Sequence, residues 1–368
     1  MTYHFITSLP LITCALFTVL LALEWNNKQL REQRTLFVFM LTATILYMGH
    51  YVFFNHVDHL IPVMDIFYVT ANLAVYPLYL IYIIRLTTLW KSWYGWVLLP
   101  ATIGAVACSI AFFMMTDEEN ALFTEHYLYH NLTDGLAGVT LLQAWIHIGC
   151  KIVFAIEVLV TIVVGVRMIR KYDNAVNQLY ADTDNKSMHH IQSVLYLIVV
   201  ASVMSFVANA IGRYRFTDSC YLLFFPSMAF SILLFTIGYL GLHRQFSFAD
   251  LEGDKVFMYD KEKGNEVMDK SLTERIVEIV KRDKIYLQPD LKLEDLARMM
   301  NTNRTYIYQA INLQMGITFN EFINRQRIAY AKQLMVNNPN LTTNEISIQS
   351  GFASLSSFYR NLKKYKDT

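Results

Sequence analysis

The chain has 368 residues, which is room for two domains, and 54% of them are hydrophobic while 17% are charged. With a mean hydropathy of +0.30, it is too apolar to be an ordinary soluble protein. The formal net charge of +1 indicates no particular partner, because residues 1–242 hold only 12 of the 31 Lys and Arg. We therefore expect a membrane half followed by a charged, soluble half.

The four cysteines show no CxxC pair and no metal-ligand spacing, so they predict neither a disulfide framework nor a metal site. Three of them, Cys14, Cys108 and Cys150, fall in apolar segments, where a cysteine is typically a small core residue. No cofactor is expected. The sequence also lacks a kinase or phosphatase motif, a Walker loop and a nucleophile elbow, which argues against an enzyme.

Seven apolar stretches are long enough to cross ~30 Å of hydrocarbon, which takes ~20 helical residues. They lie near residues 5–23, 35–54, 62–84, 93–115, 144–166, 191–211 and 221–241. No basic residue precedes the first stretch and Lys28, Arg31 and Arg34 follow it, which is the reverse of a signal peptide. Residues 1–242 are therefore predicted to form a seven-helix transmembrane domain.

The charges of the connecting loops predict how these helices are oriented. Nine Lys and Arg residues fall in the first, third and fifth loops, whereas only Arg213 and Arg215 fall on the opposite side. The fourth loop, residues 116–143, has no Lys or Arg and is acidic. We therefore expect an N-terminus outside and a C-terminus in the cytoplasm, with the chain in the inner membrane.

Polar residues recur at helical spacing within several of the predicted spans. Asp65 and Asn72 share one helix face, and so do His147 and Lys151. A polar stripe inside a bilayer faces the bundle interior or a wet cavity. The candidate pocket residues, which lie toward the outer side, are His50, Asp65, Asn72, His147, Lys151, Asn209, Arg213 and Arg215. The alternative is that these residues only hydrogen-bond one helix to another, with no ligand.

A charged segment without an apolar run, residues 243–270, follows the membrane half. Gly253 and Gly264 interrupt any helix in it, so we expect a solvated cytoplasmic linker. Short strands or a dimer contact within it remain alternatives.

The C-terminal part, residues 271–368, contains two pairs of short helices, each joined by a polar turn. The first pair has a helix at Leu293–Ala297, a turn at 301–303 and a second helix from Arg304 to Asn312. The second pair opens at Thr342 with a capping box, turns at Gly351 and continues after Ser354. Such pairs are typical of a helix-turn-helix, whose second helix fits the DNA major groove.

A helix capped at Thr318 and ending near Val336 joins the two pairs. The residues left outward on the second helix of each pair, which are the candidate DNA contacts, are Arg304, Thr305, Tyr308, Gln309, Leu355, Ser356, Tyr359, Arg360 and Lys363. From Lys284 to Thr368 there are 11 Lys and Arg against 6 Asp and Glu, an excess that favours salt-dependent binding to DNA. A solvated surface on a protein-binding module is the alternative.

The pattern of these helices resembles the AraC/XylS family of transcriptional regulators over about residues 271–366. The residues that carry the resemblance are Leu293–Ala297, Gly316, Arg327, Ile328, Ala331, Glu345, Ile346, Gly351, Phe352, Ser354, Phe358 and Lys363. The resemblance implies that the two recognition helices enter successive major grooves on one face of double-stranded DNA. By position it assigns base contacts to Thr305, Tyr308, Gln309, Leu355, Ser356 and Arg360. Ser347 and Leu362 depart from the family pattern, so we expect the second helix-turn-helix to be less stable than is usual in the family.

These observations together predict a bacterial, membrane-anchored, one-component transcriptional regulator whose DNA binding is gated by a signal at the membrane domain. The expected partners are double-stranded DNA, the lipid bilayer, an unknown small molecule on the outer side and a second copy of the chain. Two alternatives remain open. One is a transporter or small-molecule receptor with a DNA-binding feedback tail, and the other is a passive membrane anchor on a transcription factor.

Overall fold

The computed structural model describes residues 2–24, 31–87, 91–184, 186–211, 220–243 and 270–365. The regular elements in these ranges are all helices, which confirms the all-α fold class. Contacts divide the chain into two units, one formed by Met1–Ile169 with His189–Arg244 and the other by Arg170–Met188 with Gln245–Thr368. Of the predicted linker 243–270, residues 244–269 lie outside the described residues.

The first unit is a bundle of long apolar helices. Its helices are α1 (Thr2–Glu24), α2 (Arg31–Phe54), α3 (Ile61–Thr87), α4 (Leu99–Met114), the short α5 (Asp117–Phe123), α6 (Gly138–Leu179), α7 (His189–Ile211) and α8 (Cys220–Leu242). Within the described residues, six helices are long and apolar enough to cross a membrane, namely α1, α2, α3, α4, α6 and α8. The described apolar part of α7, His190–Ser205, is shorter. The count of seven spans and their orientation therefore stay predictions.

One face of α4 is apolar and exposed. Ile103, Val106, Ile110 and Phe113 follow one helical stripe, and each is more than half exposed. A continuous exposed stripe of large apolar side chains is unfavourable in water and suits contact with acyl chains. On the opposite face Gly104 lies so close to Leu73 of α3 that a Cβ there would stand 2.7 Å from its Cδ1.

Small residues also bring α8 close to its neighbours. A Cβ on Gly238 would overlap the ring of Phe17 on α1, and a Cβ on Gly241 would overlap Leu36 on α2. Membrane helices lack a hydrophobic driving force between them, so small residues that permit close packing stabilise their association. These two glycines thus join α8 to the first two helices of the bundle.

The second unit is built from shorter, amphipathic helices. They are α9 (Lys270–Arg282), α10 (Leu293–Met299), α11 (Arg304–Tyr308, continued by a wider π turn at Gln309–Gln314), α12 (Phe319–Asn337), α13 (Thr343–Gln349) and α14 (Leu355–Lys364). One core cluster lies under α9 to α11 and includes Ile276, Leu296 and Ile307. A second, around Phe352 and Phe358, lies under α12 to α14.

The helix α6 extends well beyond the predicted span at 144–166. With 42 residues it is about 63 Å long at ~1.5 Å per residue, roughly twice the ~30 Å of hydrocarbon. Its last part, from Arg170, and the residues up to Met188 belong to the second unit. The sequence places this segment in a loop of the membrane half and does not predict its contacts.

Candidate DNA-binding interface

The first helix-turn-helix is formed by α10 and α11, with a turn at residues 300–303. Asn303 caps α11, since its side-chain oxygen accepts a hydrogen bond from the Thr305 amide at 2.9 Å. Ile307, Ala310 and Ile311 are buried, as the helical spacing predicts. Capping and burial together fix which face of α11 points outward.

The second helix-turn-helix is formed by α13 and α14. Thr342 and Glu345 make a reciprocal capping box at the start of α13, with the Thr342 amide donating to the Glu345 carboxylate at 2.8 Å. These hydrogen bonds from the Thr342 amide and hydroxyl lower the pKa of Glu345. Ser354 caps α14, since its hydroxyl accepts from the Ser357 amide at 3.0 Å. The local signals in the sequence predict both starts correctly.

A buried arginine ties the linking helix α12 to the segment that precedes α10. Arg327 is 1% exposed, and its guanidinium donates to the backbone oxygens of Tyr286 at 2.7 Å and Gln288 at 2.6 Å. It also lies 5.6 Å from the ring centre of Phe352 in the second core. Burial lowers the pKa of Arg327 to about 10, so the side chain stays charged at neutral pH. Arg327 therefore holds together elements of both helix-turn-helix units.

The predicted DNA contacts lie at the surface of the second unit. On α14, Leu355, Ser356, Tyr359, Arg360 and Lys363 are exposed. On α11, the corresponding residues are partly buried: Arg304, Thr305, Tyr308 and Gln309. Their contacts with DNA stay predictions, but their surface positions satisfy the first requirement for reaching base edges.

Two of these basic side chains already have carboxylate partners. Arg304 lies 3.3 Å from Glu294 on α10, an ion pair that joins the two helices of the first helix-turn-helix. Arg360 pairs with Asp184, which precedes α7 in the chain and is absent from the sequence-based site. No spacing signal connects residues so far apart along the chain.

Comparison with known proteins agrees with this geometry. Residues 296–368 match a family model described as a helix-turn-helix domain. The matched region is an AraC-type helix-turn-helix domain, and it includes both recognition helices and the helix between them. The match supports a DNA-binding transcription regulator. Neither a curated protein nor a solved structure gives a significant match to the chain.

Polar residues of the first unit bond one helix to another and also line cavities. Asp65 on α3 and His147 on α6 form a buried pair, with Nε2 of the histidine 2.7 Å from Oδ2 of the carboxylate. Lys151, one helical turn beyond His147, donates to the side-chain oxygen of Asn131 at 2.9 Å. These three side chains thus connect α3, α6 and the loop before α6, and Asp65 also lines, with His50, a small cavity of about 40 Å³.

His50 and Asn72 line a larger cavity of about 160 Å³ inside the first unit. One water needs only ~10–15 Å³ on this scale, so the cavity has room for a small molecule. Its other polar lining comes from Thr7, several tyrosines, Ser205 and Ser227, and the lining residues that the structure describes include no Asp, Glu, Lys or Arg. The side chain of Asn209 and residues Arg213 and Arg215 lie outside the described residues.

Proposed function

We propose that the chain is a membrane-held transcription regulator in which the C-terminal unit binds double-stranded DNA and the membrane unit receives the signal. The observation that carries the proposal is the pair of capped helix-turn-helix units joined by α12, in a chain whose described residues also form six helices of membrane length. The DNA-binding unit must then lie in the cytoplasm. The excess of basic residues in the first, third and fifth loops supports that orientation and a seventh span at α7.

The two recognition helices, α11 and α14, enter successive major grooves from one face of the duplex. Adjacent grooves on one face are ~34 Å apart, or ~10.5 base pairs, so the operator has two short half-sites at that spacing. Arg360 is the strongest candidate for a base contact, because a guanidinium binds the O6 and N7 atoms of guanine with two hydrogen bonds. Thr305, Tyr308 and Gln309 read the other half-site.

Arg360→Ala is expected to weaken specific DNA binding by ~1–3 kcal/mol and to relax one base preference, since it removes a two-bond contact to a base. The measurement is fluorescence anisotropy of a duplex selected by the full-length protein in lipid nanodiscs. Arg282→Ala is the matched control, because Arg282 is an exposed arginine on α9, outside the recognition helices. Equal losses in the two variants would show that Arg360 contributes only charge.

The cavity supports a sensing role over a passive anchor. The Asn72 amide faces it, and no described residue forms a hydrogen bond with that amide. An unpaired amide in a low-dielectric interior is costly, so water or a ligand supplies its partner. The lining favours an uncharged ligand with an apolar body and one or two hydrogen-bonding groups. Nothing in the described helices favours a transporter over this reading.

Asp65→Asn is expected to make transcription of the target genes insensitive to the stimulus while the protein level stays normal. The substitution removes the charge from the buried pair with His147, and this pair joins α3 to α6 beside the cavity-lining helices. The measurement is reporter transcription across growth conditions, together with immunoblotting of membranes. Asp117→Asn, at the exposed start of α5, is the control. A normal response in Asp65→Asn would favour the passive anchor.

A further inference from the structure

The residues that follow α6 form a built contact with the C-terminal unit. Ala181 is 1% exposed and belongs to the core cluster of the first helix-turn-helix. Its amide donates to the Leu291 oxygen at 3.0 Å, and its own oxygen accepts from the side-chain amides of Asn320 at 2.7 Å and Asn324 at 3.2 Å. Every backbone hydrogen-bonding group of this residue is thus satisfied by the DNA-binding unit.

Neighbouring residues extend the contact on both sides of Ala181. Tyr180 forms an isolated antiparallel bridge with Lys292, whose ammonium lies 5.5 Å from the Tyr180 ring centre. Asp182 is 5% exposed, and its negative charge stabilises the charged form of the buried Arg327. Backbone hydrogen bonds, a ring contact and a charge therefore hold this segment at a defined place on the DNA-binding unit.

The contact reaches both recognition helices. At one end, the Tyr308 hydroxyl on α11 donates to the side-chain oxygen of Gln178 at 3.4 Å. At the other end, the Ser354 hydroxyl donates to one carboxylate oxygen of Asp184 at 2.5 Å, and the Arg360 guanidinium donates to the other. The segment 178–184 therefore spans from the first recognition helix to the start of the second.

The Asp184 carboxylate binds at the start of α14 to the kinds of groups that bind a DNA phosphate. A hydroxyl, a guanidinium and the positive end of a helix dipole are the groups that typically bind phosphate oxygens in protein–DNA complexes. Charge-assisted hydrogen bonds of this kind are also the strong ones. A phosphate arriving at Arg360 would lie beside the Asp184 carboxylate, and two negative charges at that distance repel each other.

We infer that residues 178–184 are an internal ligand of the DNA-binding face, which competes with DNA and must leave Arg360 and Ser354 before the second recognition helix enters the groove. This inference rests on the proposed function and names its regulation. The segment continues directly from α6, which is helical without interruption from Gly138 to Leu179. A shift of α6 within the membrane unit is thereby passed along the helix to the segment that covers the DNA-binding face.

The first test compares the DNA affinities of two charge-matched variants of the full-length protein in nanodiscs. The salt concentration is about 0.15 M, which is the physiological ionic strength. Asp184→Asn removes the competing carboxylate, and Glu278→Gln removes one negative charge from an exposed site on α9. The probe is a mixed-sequence duplex labelled with a fluorophore. The apparent affinity for DNA is the intrinsic affinity multiplied by the fraction of molecules in which residues 178–184 have left the DNA-binding face. We therefore expect Asp184→Asn to bind the duplex about tenfold more tightly than wild type. Glu278→Gln should stay within about twofold.

The second test detects the docked segment without relying on an affinity. The double variant Asp184→Cys, Ser354→Cys is oxidised in membranes, with each single variant as control, since the two side chains lie in hydrogen-bond contact. We expect an internal disulfide whose yield falls as duplex DNA is added. Equal affinities of Asp184→Asn and Glu278→Gln, or a cross-link that DNA does not suppress, would overturn the competition. If no variant binds any duplex while the cross-link still forms, the proposed function fails although the docked contact exists.

Discussion

Gly351→Ala is expected to lower the free energy of unfolding of the C-terminal unit by at least about 3 kcal/mol, because it combines backbone strain with a steric clash. Gly351 has a φ of +81°, in the left-handed region that L side chains rarely adopt. A Cβ at this position would stand 2.7 Å from both the Cα and the carbonyl oxygen of Leu287. Backbone atoms cannot move aside as a flexible side chain does, so the turn between α13 and α14 must shift.

Gly316→Ala separates the two causes. Gly316 also has a left-handed φ, of +70°, but a Cβ there meets no atom within 4 Å. Gly316→Ala should therefore lower the free energy of unfolding by only the conformational cost, roughly 1–2 kcal/mol. Both variants are measured by denaturant titration of the nanodisc-bound protein, with pulse proteolysis reporting the folded fraction of the C-terminal unit. Equal costs in the two would mean that the approach to Leu287 does not constrain the turn.

Arg327→Met is the second substitution with a large expected effect, again about 3 kcal/mol or more, because it leaves buried carbonyl groups without donors. Each unsatisfied buried group costs ~1–3 kcal/mol, and Arg327 donates to the oxygens of Tyr286, Gln288 and Pro289. Methionine keeps most of the aliphatic volume, so the loss of stability measures the contribution of the guanidinium rather than the cost of a cavity. Relief of burying a charge offsets part of this loss.

The matched control for Arg327 lies two residues earlier on the same helix. Arg325 is paired with Glu321 at 2.6 Å, but its side chain is 44% exposed. Surface ion pairs contribute at most ~1 kcal/mol, so Arg325→Met should be nearly neutral. The same pulse-proteolysis titration measures both variants. Comparable stabilities of Arg327→Met and wild type would contradict the role given to Arg327 in joining the two helix-turn-helix units.

The parts of the fold that the sequence predicts are those set by local physics. Apolar length determines which helices are long enough to cross a bilayer, and side-chain caps at Thr318, Thr342 and Ser354 determine where the short helices begin. The inward faces of α11 and α14 follow from helical spacing, and Ile307 and Phe358 are indeed fully buried.

The rest depends on contacts between distant parts of the chain. Helical spacing placed Asp65, His147 and Lys151 on polar faces, yet it does not show that Asp65 pairs with His147 whereas Lys151 binds Asn131. The family resemblance includes Arg327 without indicating which carbonyl groups it binds. The pairing of Asp184 with Arg360 joins residues 176 positions apart, and neither carries a motif that names the other.

The central claim, that a DNA reader operates while held in a membrane, is tested most directly by selecting genomic fragments with the full-length protein in nanodiscs. The account predicts enriched fragments that share two short half-sites about one helical turn, ~10.5 base pairs, apart. The enrichment should be lost in a Tyr308→Ala, Arg360→Ala double variant that still inserts into nanodiscs. Fragments enriched equally by that variant, or no enrichment over empty nanodiscs, would contradict the account.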